Sequence, residues 1–158
     1  MLSSLWPVGG AASKQREREQ SERRAAALVK PLASRLELEA ELEACEAPGA
    51  PPLVVIMSTS WCGPCKLLAE DLQEAAEQRG PVALRVVKID VEQVEGGLAD
   101  VASALKIQKL PTVFFCGGQG KGKPALRTTG LLKKKVLDDL IDNRSAFLGT
   151  DLIKAATY

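Results

Sequence analysis

Two cysteines, Cys62 and Cys65, stand three residues apart in the stretch Trp61-Cys62-Gly63-Pro64-Cys65. In the first turn of a helix, residues i and i+3 lie on one side, so two sulfurs there can bond with little backbone movement. A cysteine at the helix start also meets unpaired backbone N–H groups and the positive end of the dipole, both of which stabilise a thiolate. The expected division of labour makes Cys62 the nucleophile that forms a mixed disulfide with a target. Cys65, further into the helix and expected to be more buried, resolves it. Pro64 suits the first helical turn, where its missing N–H would be unpaired anyway. The competing use of such a pair is half of a zinc site. A structural zinc needs four ligands, and the chain has no histidine and no second Cys-x-x-Cys. No metal is expected.

Composition narrows the field further. The chain has 158 residues, 46% of them apolar, with a net charge of +1 and 4% aromatics. That is enough for one domain with a real core. No global field or aromatic platform points to direct nucleic-acid binding. The longest strongly apolar run, Leu53 to Met57, is far short of the roughly 20 residues that span a bilayer, so no membrane partner is expected. The absence of histidine excludes hydrolases built on an imidazole base. One tight cysteine pair plus two singles, Cys45 and Cys116, fits a dithiol cycling in a reducing compartment better than a secreted disulfide framework. The singles are expected to be buried core or helix-face thiols.

The elements that must position the pair are legible in outline. The first sixteen residues lack Asp and Glu, as organelle transit peptides do, and Lys14 to Arg24 is almost entirely charged, which suits a solvated helix or an unstructured arm. Residues 28–33 read as an edge strand, because Pro31 is tolerated there. Ser34 with Glu37 forms a capping box for the helix that follows, and 47–52 ends it with three prolines and a glycine. Residues 53–57 read as a buried central strand. A helix follows Cys62, with Leu68, Leu72, Ala75 and Ala76 on one face, and ends at Gly80. A strand over 83–91, a short helix over 95–105, a hairpin from 110–115 and 125–130, and an amphipathic helix around Leu132 to Ile141 complete the order β-α-β-α-β-α-β-β-α.

Trp61-Cys62-Gly63-Pro64-Cys65-Lys66 together with Leu110-Pro111-Thr112 resembles the thioredoxin family, and the element order agrees. The resemblance implies an α/β thioredoxin fold: a central mixed β-sheet flanked by helices on both faces. It covers residues 28–148, leaving 1–27 as an N-terminal extension and 149–158 as a C-terminal tail. It implies that Pro111 is a cis-proline facing the active site. Trp61, Gly63, Pro64, Leu110, Pro111, Thr129 and Gly130 would form a shallow groove for an extended target segment. The activity implied is protein-disulfide reduction, with no cofactor beyond the redox-active Cys62–Cys65 disulfide. The partners implied are protein disulfide targets and an upstream thioredoxin reductase.

At two positions, Ile56 and Ser58, the chain departs from the family pattern, and a third residue, Lys88, loses its expected partner. Ile56, six residues before Cys62, stands where most thioredoxins carry a buried aspartate that accepts the proton of the second cysteine. Lys88 matches the lysine that normally pairs with that aspartate and is expected to reach solvent instead. Ser58 replaces a common tryptophan. First attack by Cys62 should survive these changes, while deprotonation of Cys65 should slow unless water or another carboxylate substitutes, with Asp90 and Glu92 nearby in sequence.

The stretch Ala125 to Asn143 looks like that of plastid z-type thioredoxins, which implies the chloroplast stroma, a ferredoxin-dependent reductase, and fructokinase-like proteins of the plastid RNA polymerase as partners. A mitochondrial or cytoplasmic location is the alternative. The competing function is a thioredoxin-fold binding subunit of a larger assembly, such as a plastid transcription complex or a ciliary dynein arm, with slow redox turnover. Lys133 to Lys135 reads as the solvated face of the last helix. Lys106, Lys109, Lys121, Lys123 and Arg127 flank the groove and would bias it towards acidic targets.

Overall fold

The computed structural model describes residues 10–117 and 126–142. A helix α1 (Gly10–Leu28) leads into strand β1 (Val29–Pro31), helix α2 (Arg35–Cys45), strand β2 (Leu53–Ser58), helix α3 (Gly63–Arg79) and strand β3 (Arg85–Asp90). A 3-10 turn (Glu95–Gly97) then precedes helix α4 (Leu98–Ala104), strands β4 (Thr112–Cys116) and β5 (Leu126–Thr129), and helix α5 (Lys134–Asp142). The five strands form one mixed sheet in the order β1-β3-β2-β4-β5. β2 pairs parallel with β3 and antiparallel with β4, while β1 lies at the edge where its proline is harmless. This is the thioredoxin fold, with α1 added in front. The charged run Lys14 to Arg24 lies within α1. The tail over 149–158, most of the turn over 116–124 and the acid-poor first nine residues lie outside the described residues.

Strand β2 is buried along its whole length because helices cover both faces of the sheet. Successive side chains on a strand alternate sides. Val54 and Ile56 accordingly pack with Leu68, Leu72 and Ala75 of α3 and Leu137 and Leu140 of α5. Leu53, Val55 and Met57 pack with Leu38 and Cys45 of α2 and Leu98 of α4 on the opposite face. Both single cysteines, Cys45 and Cys116, are buried in this second layer. Among the described residues, no helix is long and apolar enough to cross a membrane.

Local chemistry sets the element ends. Ser34 Oγ accepts the Glu37 N–H at 3.2 Å, and the Glu37 carboxylate accepts the Ala33 N–H at 2.7 Å, a capping box that reaches one residue further back than expected. The buried Glu41 carboxylate on α2 is paired with Lys30 of β1 and Arg85 of β3, which ties that helix to the sheet edge. The helix expected over 95–105 is split. Gly96 and Gly97 have φ of +73° and +81°, so an α-helix starts only at Leu98. A Cβ on Gly96 would lie 2.2 Å from the Ala33 carbonyl oxygen, which the sequence pattern alone does not reveal.

Helix α3 is tied at its far end. The Arg79 guanidinium donates to both carboxylate oxygens of Asp142, at 2.8 and 2.9 Å, and to Asp138 at 3.1 Å. The hydrogen bond from Arg79 holds the Asp142 carboxyl below its usual range. Lys134 pairs with Glu74 at 2.6 Å, so part of the basic run on α5 also contacts α3.

Two measurements test this architecture. Gly96→Ala should destabilise the fold by about 2–3 kcal/mol in urea denaturation, because a strained φ adds to a backbone clash. Gly97→Ala, whose nearest contact is an ordinary 3.7 Å to Arg35 Cβ, should cost only about 1 kcal/mol. The stability lost in Arg79→Gln should be constant above the ordinary aspartate pKa of about 3.9, since Asp142 is ionised there in both folded and unfolded chains. It should shrink as pH falls through the lower folded value. A difference independent of pH down to complete acid titration would contradict the ion pair.

Candidate active site

β2 delivers the chain to the site. Beyond Ser58 it turns through Thr59, Ser60 and Trp61, with Cys62 N–H donating to the Thr59 carbonyl at 3.4 Å. Cys62 is the N-cap of α3, with extended backbone (φ −79°, ψ 108°), and Pro64 occupies the first turn. The Cys65 N–H donates to Cys62 Sγ at 3.3 Å, so the sulfur takes the place that a serine or aspartate oxygen takes at other helix starts. Cys62 and Cys65 form a disulfide, with their Cα atoms 5.3 Å apart. The expected contrast in burial is nearly absent: Cys62 is 5% exposed and Cys65 3%. In the bonded pair each sulfur covers the other.

The residues expected to form a groove lie at the end of the sheet from which the chain leads to this disulfide. The Leu110–Pro111 peptide is cis. Met57 of β2 lies opposite Thr112 of β4, so Pro111 falls beside the end of β2, next to the turn that carries Cys62. Thr112 in turn pairs with Thr129, and Gly130 (φ +84°) donates its N–H to the Pro111 carbonyl at 2.8 Å. Gly63 and Pro64 are exposed at the head of α3. Trp61 is 68% exposed rather than packed in the core, and its indole N–H donates to Glu92 Oε1 at 3.0 Å.

The two departures from the family pattern and Lys88 beside them also have definite places. Ile56 is fully buried, paired in register with Lys88 on one side and Val113 on the other. Lys88 is exposed and forms no ion pair with a described residue. Ser58 is buried, its hydroxyl donating to the Ile89 carbonyl at 3.3 Å. The Arg127 guanidinium is engaged within the protein: it donates to the carbonyls of Leu105 and Lys106 at 2.6 and 3.0 Å and lies 5.4 Å over the Phe114 ring. Lys121 and Lys123 lie outside the described residues. No group of three or more metal-ligating side chains occurs among the described residues.

One feature of the site was missed by sequence reasoning. A crevice of about 190 Å³ opens beside Cys65, lined by Ser58, Thr59, Lys66, Lys88 and Asp90 among others. A signal for it was present: Ile56 and Ser58 pair in register with Lys88 and Asp90, so period-2 alternation alone places both charged side chains on the Ile56 face of the sheet.

A dithiol pair closing the N-terminus of a helix, beside a cis-proline on a five-stranded mixed sheet, defines a thioredoxin-type redox site. The thioredoxin family model matches residues 38–143, more than half of the chain, and the chain belongs to this family. It is 35% identical over 92 residues to the thioredoxin-like protein CITRX, chloroplastic, of Arabidopsis thaliana, covering 58% of this chain and 47% of that one. It is 32% identical over 99 residues to thioredoxin-2 of Saccharomyces cerevisiae, covering 63% of this chain and 86% of that one. Among solved structures, chloroplastic thioredoxin z superposes with a TM-score of 0.63 at 34% identity, covering 75% of this chain and 95% of that one. The chain spans about half the length of the chloroplastic relatives it matches.

The geometry predicts which thiol reacts first. In the reduced protein, limiting iodoacetamide should alkylate Cys62 ahead of Cys65, Cys45 and Cys116, as read by peptide mass mapping. Faster modification of Cys45 or Cys116 would show that helix-terminal activation of Cys62 does not govern reactivity.

Proposed function

We propose that this chain is a thiol–disulfide oxidoreductase that reduces disulfides in other proteins through Cys62 and Cys65. The observation that carries this reading is the Cys62–Cys65 disulfide at the start of α3, with the Cys65 N–H donating to Cys62 Sγ. The same donor stabilises a Cys62 thiolate once the pair is reduced. That thiolate attacks one sulfur of a target disulfide, and the target's other sulfur leaves as a thiol. Cys65 then attacks Cys62 Sγ, the second target thiol departs, and the Cys62–Cys65 bond re-forms. Two electrons pass from the dithiol to the target, and a reductase dithiol restores them.

Trp61, Gly63, Pro64, Leu110, Pro111, Thr129 and Gly130 form the docking groove in this reading. The backbone of Leu110 pairs with an extended target segment, and the exposed face of Trp61 supplies apolar contact. The chloroplast stroma is the proposed location, supported by the chloroplastic names of the relatives. There a ferredoxin-dependent thioredoxin reductase would recharge the pair, and fructokinase-like proteins of the plastid RNA polymerase are candidate targets.

A second reading follows from Ile56. With an apolar side chain where the family's proton acceptor stands, resolution could be slow enough for the domain to act by holding partners. A dithiothreitol-driven assay on a model protein disulfide separates the two. The reductase reading predicts multiple turnovers by the wild type, a trapped mixed disulfide with Cys65→Ser, and neither with Cys62→Ser. A wild type that accumulates the mixed disulfide without turning over would establish the holding role instead.

A further inference from the structure

Resolution by Cys65 needs a base, and the crevice beside it contains one. We propose that Asp90 is the proton acceptor for Cys65, acting through water in this crevice, in place of the carboxylate lost at Ile56. The inference deepens the reductase reading and rests on it.

The crevice reaches Cys65 directly and is lined by both Asp90 and Lys88. At about 190 Å³ it has room for several water molecules, so a proton can pass between groups that do not touch. Asp90 pairs in register with Ser58, one strand over from β2 and two residues beyond the position of Ile56. The family's acid would rise from β2; here the acid rises from β3 at the same end of the sheet. Its carboxylate is held in place, because Oδ1 accepts the Glu92 N–H at 2.9 Å, and Oδ2 is left for water. The other nearby carboxylate, Glu92, is engaged by the Trp61 indole at 3.0 Å and does not line the crevice.

Two further groups fit the path. Thr59 Oγ1 is buried at the crevice wall with no hydrogen-bond partner among the described residues, a hydroxyl placed to orient water. Lys88 is two residues from Asp90 on the same face of β3, and its ammonium favours the negative charge that develops on Cys65. Neither Lys88 nor Lys66 can accept a proton while charged.

The step balances. In the mixed disulfide the Cys65 thiol gives its proton through water to the Asp90 carboxylate. The Cys65 thiolate attacks Cys62 Sγ, the Cys62–Cys65 bond forms and the bond from Cys62 to the target sulfur breaks. The target sulfur leaves with the electron pair and takes up a proton from solution, and Asp90 releases its own to solvent.

Rapid-mixing experiments on the reduced full-length chain with a peptide disulfide resolve the two steps, formation of the mixed disulfide and its decay. Asp90→Asn keeps the shape and the hydrogen bond to the Glu92 N–H. It should leave formation at the wild-type rate and slow decay about 100-fold, the lower range for general-base catalysis. Asp90→Glu should recover most of the loss, and added imidazole should accelerate decay in Asp90→Asn while leaving the wild type unchanged. Glu92→Gln should decay at the wild-type rate. Decay of Asp90→Asn at the wild-type rate, with the wild type turning over normally, would overturn the assignment and leave the reductase reading intact. A wild type that forms no mixed disulfide would remove that reading, and this proposal with it.

Discussion

Strand β2 is hydrogen-bonded along both edges and buried on both faces, so its C-terminal end is fixed by the whole sheet. Each part of the site is referred to that one point. The turn from β2 delivers Cys62 to the head of α3, the antiparallel neighbour β4 brings the cis Leu110–Pro111 bond alongside, and β5 adds Gly130 behind it. α3 is held from its other end by Arg79 on Asp138 and Asp142 of α5. A helix start held in this way aims the Cys65 N–H at Cys62 Sγ, and a donor already in place is what stabilises a thiolate.

The replacement at Ile56 is explained by the cost of charge in that place. Residue 56 is fully buried among Leu68, Val113 and other apolar side chains. A carboxylate there must be desolvated, which costs several kcal/mol when no partner repays it. Isoleucine fills the space with no such cost and gives up only the proton acceptor. Asp90 stands at the rim of the same layer, half-buried and lining the crevice. Under the proposed assignment, a buried base in contact with the resolving thiol is exchanged for an accessible one that would act at longer range through water.

Much of this was legible in the residues. The Cys62–Cys65 spacing, the proline in the first turn of α3, the apolar run of β2 and the Ser34 cap each state a local rule, and the structure obeys it. The thioredoxin fold was implied by the resemblance of the Cys62–Cys65 and Leu110–Thr112 motifs to that family, with the order of elements in agreement. What stayed hidden depends on distant contacts. Gly96 and Gly97 break the helix before α4 with positive φ, and at Gly96 the backbone runs so close to Ala33, sixty-odd residues earlier, that a Cβ would clash. The near-equal burial of the two cysteines reflects their bond rather than their positions along the helix. Arg127 reads as a free surface charge until the carbonyls at the end of α4 are seen to hold it. The crevice at Cys65 was half legible, since alternation along β3 puts Lys88 and Asp90 on one face, but only the packed structure shows that the space extends to Cys65.

In the proposed function one dithiol, set at the start of α3, cycles reversibly while the fold stays as it is. An equilibrium redox titration, followed by Trp61 fluorescence and by thiol counting, is the decisive experiment. A single reversible two-electron transition is expected, in which Cys62 and Cys65 alone gain and lose their bond while Cys45 and Cys116 remain thiols throughout. A transition that involves Cys45 or Cys116, or one that is irreversible because reduction unfolds the domain, would contradict it.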